Sequence, residues 1–458
     1  MACRCGWPAE GGHMGVMMQA FHWDCPKVDN KEFVWWGFIR EKVPALATAG
    51  FTALWLPPAH KAANISGPSM GYDPYDYYDL GRFSQKGRKE TWFGSEKELL
   101  KLIRTAHDHG LTVLADMVIN HNSGADAEEE NPITGTRRWT RFNPKSGKFK
   151  RNWESFHPCA FETWDYETFG EMPDLSHRNP EVFGEILKLA RWLVEEVSFD
   201  GFRYDFVKGY GSWMVTAIQE YRYLRDGKPF KPYGVGENWS SSRAIENWLN
   251  ETNAWNDNEV DAFDFPLRWL LKDLCDGFGF SLRRLATEPT LVRSRPHSAV
   301  TFVENHDLRE GTDPIFNDKL LAYGYILTHE GYPCVFWKDY YNHGLGQEGT
   351  PHGIAALVQS HETLAGGGTE VLWADDDLYV MQRLGADGKP GLIFVLNNRG
   401  DRWNGAWVPT QWSNVGFAPV AWWSGSDLSR PSDQWAAGDG RLQVWAPPRG
   451  YVVYGPGV

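Results

Sequence analysis

Short apolar runs alternate with amphipathic stretches over the first three quarters of the chain. β-Branched and aromatic residues dominate these runs, which predicts buried strands. The predicted strands are 15–21, 51–56, 111–118, 197–204, 233–236, 262–265, 299–303 and 334–337. Helices are predicted at 36–49, 95–109 and 180–196, the second with Ser95 as N-cap and Glu98 in capping-box position. This alternation is typical of parallel strands joined by crossover helices.

The spacing of the runs favours an α/β fold, a (β/α)8 barrel. Met18 and Leu54 are 36 residues apart, which suits one strand–helix unit. Asp116 and Asp205 are 89 residues apart, too many for one unit, so about 50 residues are inserted after the third strand. We therefore predict a barrel over 1–120 and 177–365 with a small inserted domain at 121–176.

A separate domain is predicted after the barrel. Gly366, Gly367 and Gly368 form a linker-like run. Short apolar–polar alternations follow it at 378–383, 392–396, 442–445 and 451–454. This pattern predicts a C-terminal all-β domain at 366–458.

The net charge and the length of the apolar runs limit the partners and the location expected for this chain. The formal net charge of −13 and the pI of about 5.6 make nucleic acid an unfavourable partner. No apolar run reaches about 18 residues, so no membrane span is expected. The first residues lack the apolar core of a signal peptide, which favours a cytoplasmic location unless a leader has been removed; either Met1 or Met14 could be the start. The chain is expected to be a monomer.

Cysteine and aromatic residues give further indications of the compartment and the ligand. The six cysteines are widely scattered, and we expect free thiols in a reducing compartment. The chain has 24 Trp, 18 Tyr and 25 Phe, and flat aromatic rings suit ligands with apolar faces and polar edges, such as sugars.

Polar and charged residues cluster where predicted strands end. Residues at the carboxyl ends of barrel strands converge on one pocket. Those expected there are Asp116, Asn120, His121, Arg203, Asp205, Lys208, Glu237, Asn305, His306 and Asp307. Arg203 lies two residues before Asp205, so both side chains point the same way, and the cation should keep Asp205 ionised.

Two kinds of chemistry fit these residue types. Glycoside hydrolysis needs two carboxylates, a nucleophile and a proton donor, and a separation of roughly 5 Å implies retention of configuration. Alternatively, Asp116, His121, His306 and Asp307 would suit a metal pair in a hydrolase. Residue types alone do not decide between the two.

Four short segments carry a resemblance that favours the first chemistry. They are Asp116–His121, Gly201–Lys208, Gly236-Glu237 and Asn305–Asp307. In this order and at this spacing they resemble the four signature regions of the α-amylase family, glycoside hydrolase family 13. Met172–Leu175 is similar to a fifth short region of that family. The resemblance covers roughly residues 14 to 360, with a weaker match in the tail.

The resemblance implies a role for each site residue. Asp205 is similar to the family's nucleophile, Glu237 to its general acid/base and Asp307 to its transition-state stabiliser. The residues that resemble those holding the sugar in the cleaved subsite are Tyr72, His121, Arg203 and His306. Lys208 resembles a contact on the leaving-group side.

The resemblance also implies a structural calcium ion between barrel and insertion. Calcium prefers oxygen ligands. The matching positions are Asn120, Asp165, Asp174 and the backbone carbonyl of Gly209.

The implied activity is retaining, endo-acting hydrolysis of internal α-1,4 bonds in starch- or glycogen-like glucans or maltooligosaccharides. Gly209 follows Lys208 where many members carry His, so the product pattern stays open. Another retaining enzyme of the family, such as an oligosaccharide glucosidase or a transglycosylase, is an alternative. A non-catalytic glucan-binding relative is less favoured, because all three catalytic carboxylates are present.

Overall fold

A computed structural model describes residues 15–25, 27–28, 31–32, 34–64, 69–253, 260–309 and 311–457. In chain order, the strands are β1 (Met17–Gln19), β2 (Lys27–Val28), β3 (Lys31–Glu32), β4 (Ala53–Trp55), β5 (Lys61–Ala62), β6 (Pro74–Asp76), β7 (Thr112–Met117), β8 (Ala127–Asn131), β9 (Thr136–Arg141), β10 (Gly201–Tyr204), β11 (Tyr223–Arg225), β12 (Lys228–Phe230), β13 (Tyr233–Gly236), β14 (Val260–Phe263), β15 (Ala299–Phe302), β16 (Tyr332–Phe336), β17 (Thr369–Ala374), β18 (Leu378–Arg383), β19 (Leu392–Asn397), β20 (Asn404–Pro409), β21 (Val415–Ser424), β22 (Gln434–Ala436), β23 (Arg441–Ala446) and β24 (Gly450–Pro456).

The α-helices are α1 (Trp35–Ala49), α2 (Glu96–Asp108), α3 (Pro180–Glu195), α4 (Ser212–Glu220), α5 (Ser242–Asn253), α6 (Phe265–Asp276), α7 (Arg283–Thr287), α8 (Leu291–Ser294), α9 (Lys319–Ile326) and α10 (Ile354–Leu364). Short 3₁₀ turns cover Trp153–Ser155, Val207–Gly209 and Pro296–Ser298, and a π turn covers Lys338–Asn342.

Eight strands close into the predicted barrel, in the order β1-β16-β15-β14-β13-β10-β7-β4. The pairings of β7, β10 and β13 are parallel. Their register sets Asp116 beside Arg203 and Arg203 beside Val235. Parallel register therefore aligns the carboxyl ends of neighbouring strands, where site residues are expected.

Local sequence signals explain where elements begin. The capping box predicted for α2 is confirmed, because the Ser95 side chain accepts from the Glu98 N–H and the Glu98 carboxylate accepts from the Ser95 N–H. Strand β14 ends at Phe263, two residues before its predicted end, because Asp264 caps α6 by accepting from the Leu267 N–H.

The chain divides into two compact units. The first comprises Ala20–Ala47 and Ala53–Phe263, and the second comprises the described residues up to Gln19, Thr48–Thr52 and Asp264 onward. Within the first unit, β8 and β9 of the insertion pair as an antiparallel hairpin. The three-domain division given above stays a prediction.

The tail is all-β, as predicted. Its six-stranded sheet has the order β17-β18-β19-β24-β21-β22, and β20 pairs separately with β23. Alternate residues of these strands meet in one hydrophobic core, which includes Val380, Val395, Val408, Leu442 and Val452.

Other predictions concern thiols and membranes. Cys25, Cys159, Cys275 and Cys334 are buried free thiols, whereas Cys3, Cys5 and the alternative start Met14 lie outside the described residues. Over the part of the chain that is described, every helix is too short or too polar to cross a lipid bilayer.

Candidate active site

Arg203 is the centre of the polar cluster in the first unit. Its side chain is about 1% exposed and is carried by β10. Nη1 donates to Asp116 Oδ1 at 2.9 Å and to Asp205 Oδ1 at 2.6 Å, and Nη2 lies 2.5 Å from Glu237 Oε1. One guanidinium thus joins carboxylates that follow or end three neighbouring barrel strands.

The two carboxylates expected to do chemistry are held on different nitrogens of that guanidinium. Glu237 follows β13, and its Oε2 accepts from the Phe206 backbone N–H at 3.1 Å. Asp205 follows β10, and its backbone N–H donates to the Met117 carbonyl at 3.2 Å. Both side chains are therefore fixed by the barrel frame as well as by Arg203.

Burial raises the pKa of Asp205 well above its usual range, an effect that Arg203 opposes and that the charges of Glu237 and Asp116 reinforce. Burial also raises the pKa of Asp116 to about 6, again against the opposing effect of Arg203. The expectation that Arg203 keeps Asp205 ionised stays a prediction, and the structure adds that Asp205 shares this cation with Asp116 and Glu237.

Asp116 anchors Arg203, and both of its carboxylate oxygens accept hydrogen bonds. Its Oδ2 accepts from Trp55 Nε1 at 3.0 Å and from the Tyr72 hydroxyl at 2.8 Å. The Trp55 ring also lies 5.0 Å from the Arg203 guanidinium. This arrangement disfavours Asp116 as a metal ligand, and it makes Trp55 a site residue that the sequence analysis missed.

His121 is buried and neutral. Burial lowers its pKa to about 4, and its Nε2 donates to the Tyr72 carbonyl at 2.8 Å. The Phe169 ring from the insertion stacks on the imidazole, with centroids 4.4 Å apart and planes 5° apart. Phe169 also meets the Phe206 ring edge-on at 5.4 Å, so the insertion packs against the segment that follows the predicted nucleophile.

Two features define that segment. Phe206 has φ 44° and ψ 52°, a left-handed conformation that a bulky residue rarely adopts. This conformation directs the Phe206 N–H toward Glu237. Lys208, two residues on, forms an ion pair with Glu167 at 3.0 Å.

The second unit holds the predicted site residues Asn305, His306 and Asp307. His306 is buried; its Nδ1 accepts from Gln19 Nε2 at 2.9 Å, and its Nε2 lies 3.3 Å from Asp307 Oδ2. With Nδ1 as acceptor, the ring proton sits on Nε2 and faces Asp307. Asn305 accepts from the Asp307 N–H and shapes this turn. Gln19 is a positioning residue that the sequence analysis did not find.

The residues expected to bind calcium show features that fit a cation. Asn120 donates from Nδ2 to Asp174 Oδ1 at 2.9 Å, whereas Asn120 Oδ1 and Asp174 Oδ2 are buried without a hydrogen-bond partner. A Cβ at Gly209 would lie 2.2 Å from Asn120 Oδ1, so only glycine leaves this oxygen its space. Burial and the charge of Asp165 raise the pKa of Asp174 to about 7. Calcium prefers oxygen ligands, and the two buried oxygens without partners are ligands of this kind. A bound cation would also compensate the charge of the Asp174 carboxylate.

The structure also bears on metal sites that are built from several ionisable side chains. Across the described ranges, no group of three or more His, Cys, Asp or Glu side chains is arranged to hold a metal ion. The predicted calcium ligands do not form such a group, because an amide and a backbone carbonyl would complete their set.

Comparison with known proteins identifies the family. A match to the α-amylase catalytic domain spans residues 34–258. An α-amylase of Geobacillus stearothermophilus is 32% identical over 97% of this chain and 89% of its own length. The chain belongs to the α-amylase family, glycoside hydrolase family 13. It is an α-glucan-active glycoside hydrolase.

One further relative and one solved structure add to the comparison. A glucan 1,4-α-maltohexaosidase of Bacillus sp. (strain 707) is 33% identical over 74% of this chain and 73% of its own. A solved cyclomaltodextrin glucanotransferase with a three-domain ABC distribution has a TM-score of 0.70 at 18% identity, covering 97% of this chain and 99% of its own. The structural likeness confirms the fold.

Proposed function

We propose that this chain is a retaining, endo-acting enzyme that hydrolyses internal α-1,4-glucosidic bonds in starch- or glycogen-like glucans. The observation that carries the proposal is the pair Asp205 and Glu237, held on the two terminal nitrogens of the buried Arg203 guanidinium. Because both carboxylates bind terminal nitrogens of the same guanidinium, they lie close together. A retaining glycosidase needs such a short separation between its two carboxylates.

In the first step, Asp205 Oδ attacks the anomeric carbon while Glu237 protonates the departing glycosidic oxygen. A glycosyl ester on Asp205 forms and the glucan fragment with a new free hydroxyl leaves. In the second step, Glu237 takes a proton from water as the water oxygen attacks the anomeric carbon. The ester breaks, Asp205 is released as carboxylate, and two inversions give net retention.

Surrounding residues receive supporting roles. We assign Asp307 to stabilising the oxocarbenium-like charge, with His306 donating from Nε2. His121 donates to the Tyr72 carbonyl, the Tyr72 hydroxyl donates to Asp116, and both residues would contact the sugar in the cleaved subsite. Lys208, the only one of these on the leaving-group side, would contact the glucan beyond the scissile bond.

We propose a structural calcium ion held by Asn120, Asp174, Asp165 and the Gly209 carbonyl. The orphaned oxygens of Asn120 and Asp174 support this set. Bound calcium would supply charge that compensates Asp174 and would fix the insertion beside the segment that follows Asp205. No step of the reaction is assigned to it.

A second candidate is glucanosyl transfer. The fold is shared with a cyclomaltodextrin glucanotransferase, and the glycosyl ester on Asp205 can pass to a sugar hydroxyl instead of water. Release of fixed-length products is a related variant, since a maltohexaosidase is among the relatives.

The test compares the fall in viscosity of soluble starch with the release of reducing ends. A rapid fall in viscosity at low reducing-end release is expected for endo-hydrolysis. Glucose release from short maltooligosaccharides alone would assign a glucosidase. Products longer than the substrate, without a rise in reducing ends, would assign a transferase.

A further inference from the structure

An exposed aromatic surface lies on the C-terminal domain, and its residues differ from those of the candidate active site. Strands β20 and β23 pair antiparallel, with Gly405 opposite Trp445 and Trp407 opposite Gln443. Alternate residues of the same strands, such as Val408 and Val444, lie in the hydrophobic core. Because side chains alternate across a sheet, Trp407 and Trp445 point outward. They are 53% and 37% exposed.

A third tryptophan comes from the next strand. Trp435 is on β22 and is 62% exposed, while its neighbour Ala436 belongs to the same core. A tight turn links β22 to β23, with the Ala437 N–H donating to the Arg441 carbonyl at 2.9 Å, and the two strands are in contact. We call Trp407, Trp435 and Trp445 the tryptophan face.

Glycine lies beside two of these rings, and at Gly405 it leaves space that a side chain would take. A Cβ at Gly405 would lie 2.8 Å from carbon atoms of the Trp445 ring. Gly416 pairs with Trp435, and a Cβ there would meet that ring at 3.6 Å. The rings are therefore seated against the sheet over backbone that has no side chain, and they keep solvent access from outside. Rigid seating lowers the entropy lost when a flat ligand stacks on a ring.

The remaining outward positions are polar or small. On β20 and β23 they are Gly405, Pro409, Arg441 and Gln443, so this part of the face has one cation and no carboxylate. The Arg441 guanidinium lies 6.0 Å from the Trp407 ring centre. A polyanion would need several cations, and a cationic partner would need carboxylates. The charge pattern favours a neutral ligand with apolar faces and hydroxyl edges.

We propose that the tryptophan face is a second binding site for an α-glucan chain, separate in its residues from the catalytic carboxylates. Pyranose rings would stack on the three indoles, and sugar hydroxyls would bond to Gln443 and Arg441. The proposal rests on the proposed function, which supplies the glucan. Binding at the tryptophan face would hold the enzyme on a long glucan chain, whereas short substrates would gain no affinity from it.

The test is affinity electrophoresis in native gels that contain soluble starch. Glu237→Gln is the background, so that the gel polymer is not consumed. Replacing all three tryptophans of the face by Ala is expected to weaken retardation about tenfold, equivalent to 1.4 kcal/mol. Trp373→Ala is the matched control, because Trp373 is 43% exposed in the same domain but lies on β17 and donates to Asp375. It should leave retardation unchanged.

A second readout uses chains with the catalytic residues intact. The triple variant should lower kcat/KM on starch and keep wild-type kcat/KM on a short chromogenic maltooligosaccharide. Trp435→Ala alone, the most exposed position, serves if the triple variant has a lowered melting temperature.

The outcomes separate cleanly. Unchanged retardation of the triple variant would overturn the second site. So would loss of retardation together with conversion of a dimer to a monomer in light scattering, because the face would then join two copies of this chain. Absence of wild-type hydrolysis on both starch and the short substrate would instead contradict the proposed function.

Discussion

At the scale of single residues, one buried cation organises the chemistry. Arg203 binds Asp116, Asp205 and Glu237 at once, and the charges of Glu237 and Asp116 both raise the pKa of Asp205. A buried guanidinium with three partners also cannot be replaced by an ammonium, which lacks the planar array of donors. The ionisation of the nucleophile therefore depends on the whole cluster.

This dependence predicts a pH effect. The charge of Asp116 helps to raise the pKa of Asp205, so Asp116→Asn should lower that pKa. Because the nucleophile must be ionised, the acidic limb of kcat/KM against pH should move to lower pH, with a lower maximum because Arg203 loses an anchor. Asp264→Asn, which removes a buried carboxyl from the α6 cap, should leave the limb in place. A limb that stays put or moves upward in Asp116→Asn would contradict this.

A second residue-scale prediction concerns Gln19. Gln19→Glu replaces the donor to His306 Nδ1 by an acceptor and so moves the ring proton away from Asp307. We expect kcat/KM on starch to fall about tenfold, the equivalent of one hydrogen bond to a charged group. The melting temperature should change little, and Gln19→Asn should show an intermediate loss. Full activity of Gln19→Glu would show that the tautomer of His306 is not used.

The sequence analysis predicted the carboxylates and Arg203 but missed two of the residues that position them. Asp205, Glu237 and Asp307 follow strands whose spacing is visible along the chain. Trp55 and Gln19 lie inside apolar strands, and their partners Asp116 and His306 are 61 and 287 positions away. Only side-chain packing brings such pairs together, and no local pattern records it.

At the scale of elements, helix caps were predictable where backbone and side-chain signals agree. Ser95 and Glu98 satisfy each other's backbone N–H groups at the start of α2. Strands of the tail were harder to find: β17, β20, β21 and β22 were missed. β17 has no buried residue and β20 has one, β22 has three residues, and β21 has a register shift between Pro419 and Ala421. Clear alternation of apolar and polar residues is lost in each.

The α2 cap gives a stability prediction. Ser95→Ala removes the acceptor for the Glu98 N–H and should lower the free energy of unfolding by about 1 kcal/mol. Thr105→Ala is the control on the same helix, because the Thr105 hydroxyl only donates to the Lys101 carbonyl one turn earlier. Urea unfolding should place the Thr105 variant within about 0.5 kcal/mol of wild type. Equal losses for the two variants would contradict the role of the cap.

At the scale of the whole molecule, stability is predicted to depend on calcium. The ligands proposed for it come from distant parts of the first unit, Asn120 after β7 and Asp174 at the end of the insertion. Ligand binding to the folded state alone adds about 2.7 kcal/mol at one hundred times the dissociation constant. The insertion should therefore be the part that loosens first when calcium is removed.

Chelation tests this prediction. Addition of EDTA should lower the melting temperature of the wild type, and excess calcium should restore it. Asp174→Asn should melt lower than wild type and respond little to either addition, whereas Asp126→Asn, on the insertion but outside the proposed ligand set, should respond like wild type. Identical wild-type melting curves with EDTA and with calcium would contradict the calcium site.

The central claim is that Glu237 is the proton donor and Asp205 the nucleophile, and leaving-group dependence tests it most directly. We would measure kcat/KM of Glu237→Gln on soluble starch and on α-maltosyl fluoride, whose leaving group needs no proton. We expect the kcat/KM of Glu237→Gln on starch to fall by a factor of about 10²–10⁴, and fluoride release in the first turnover to stay near that of the wild type. Both reactions should be abolished in Asp205→Asn. Equal losses on the two substrates in Glu237→Gln would show that Glu237 is not the acid.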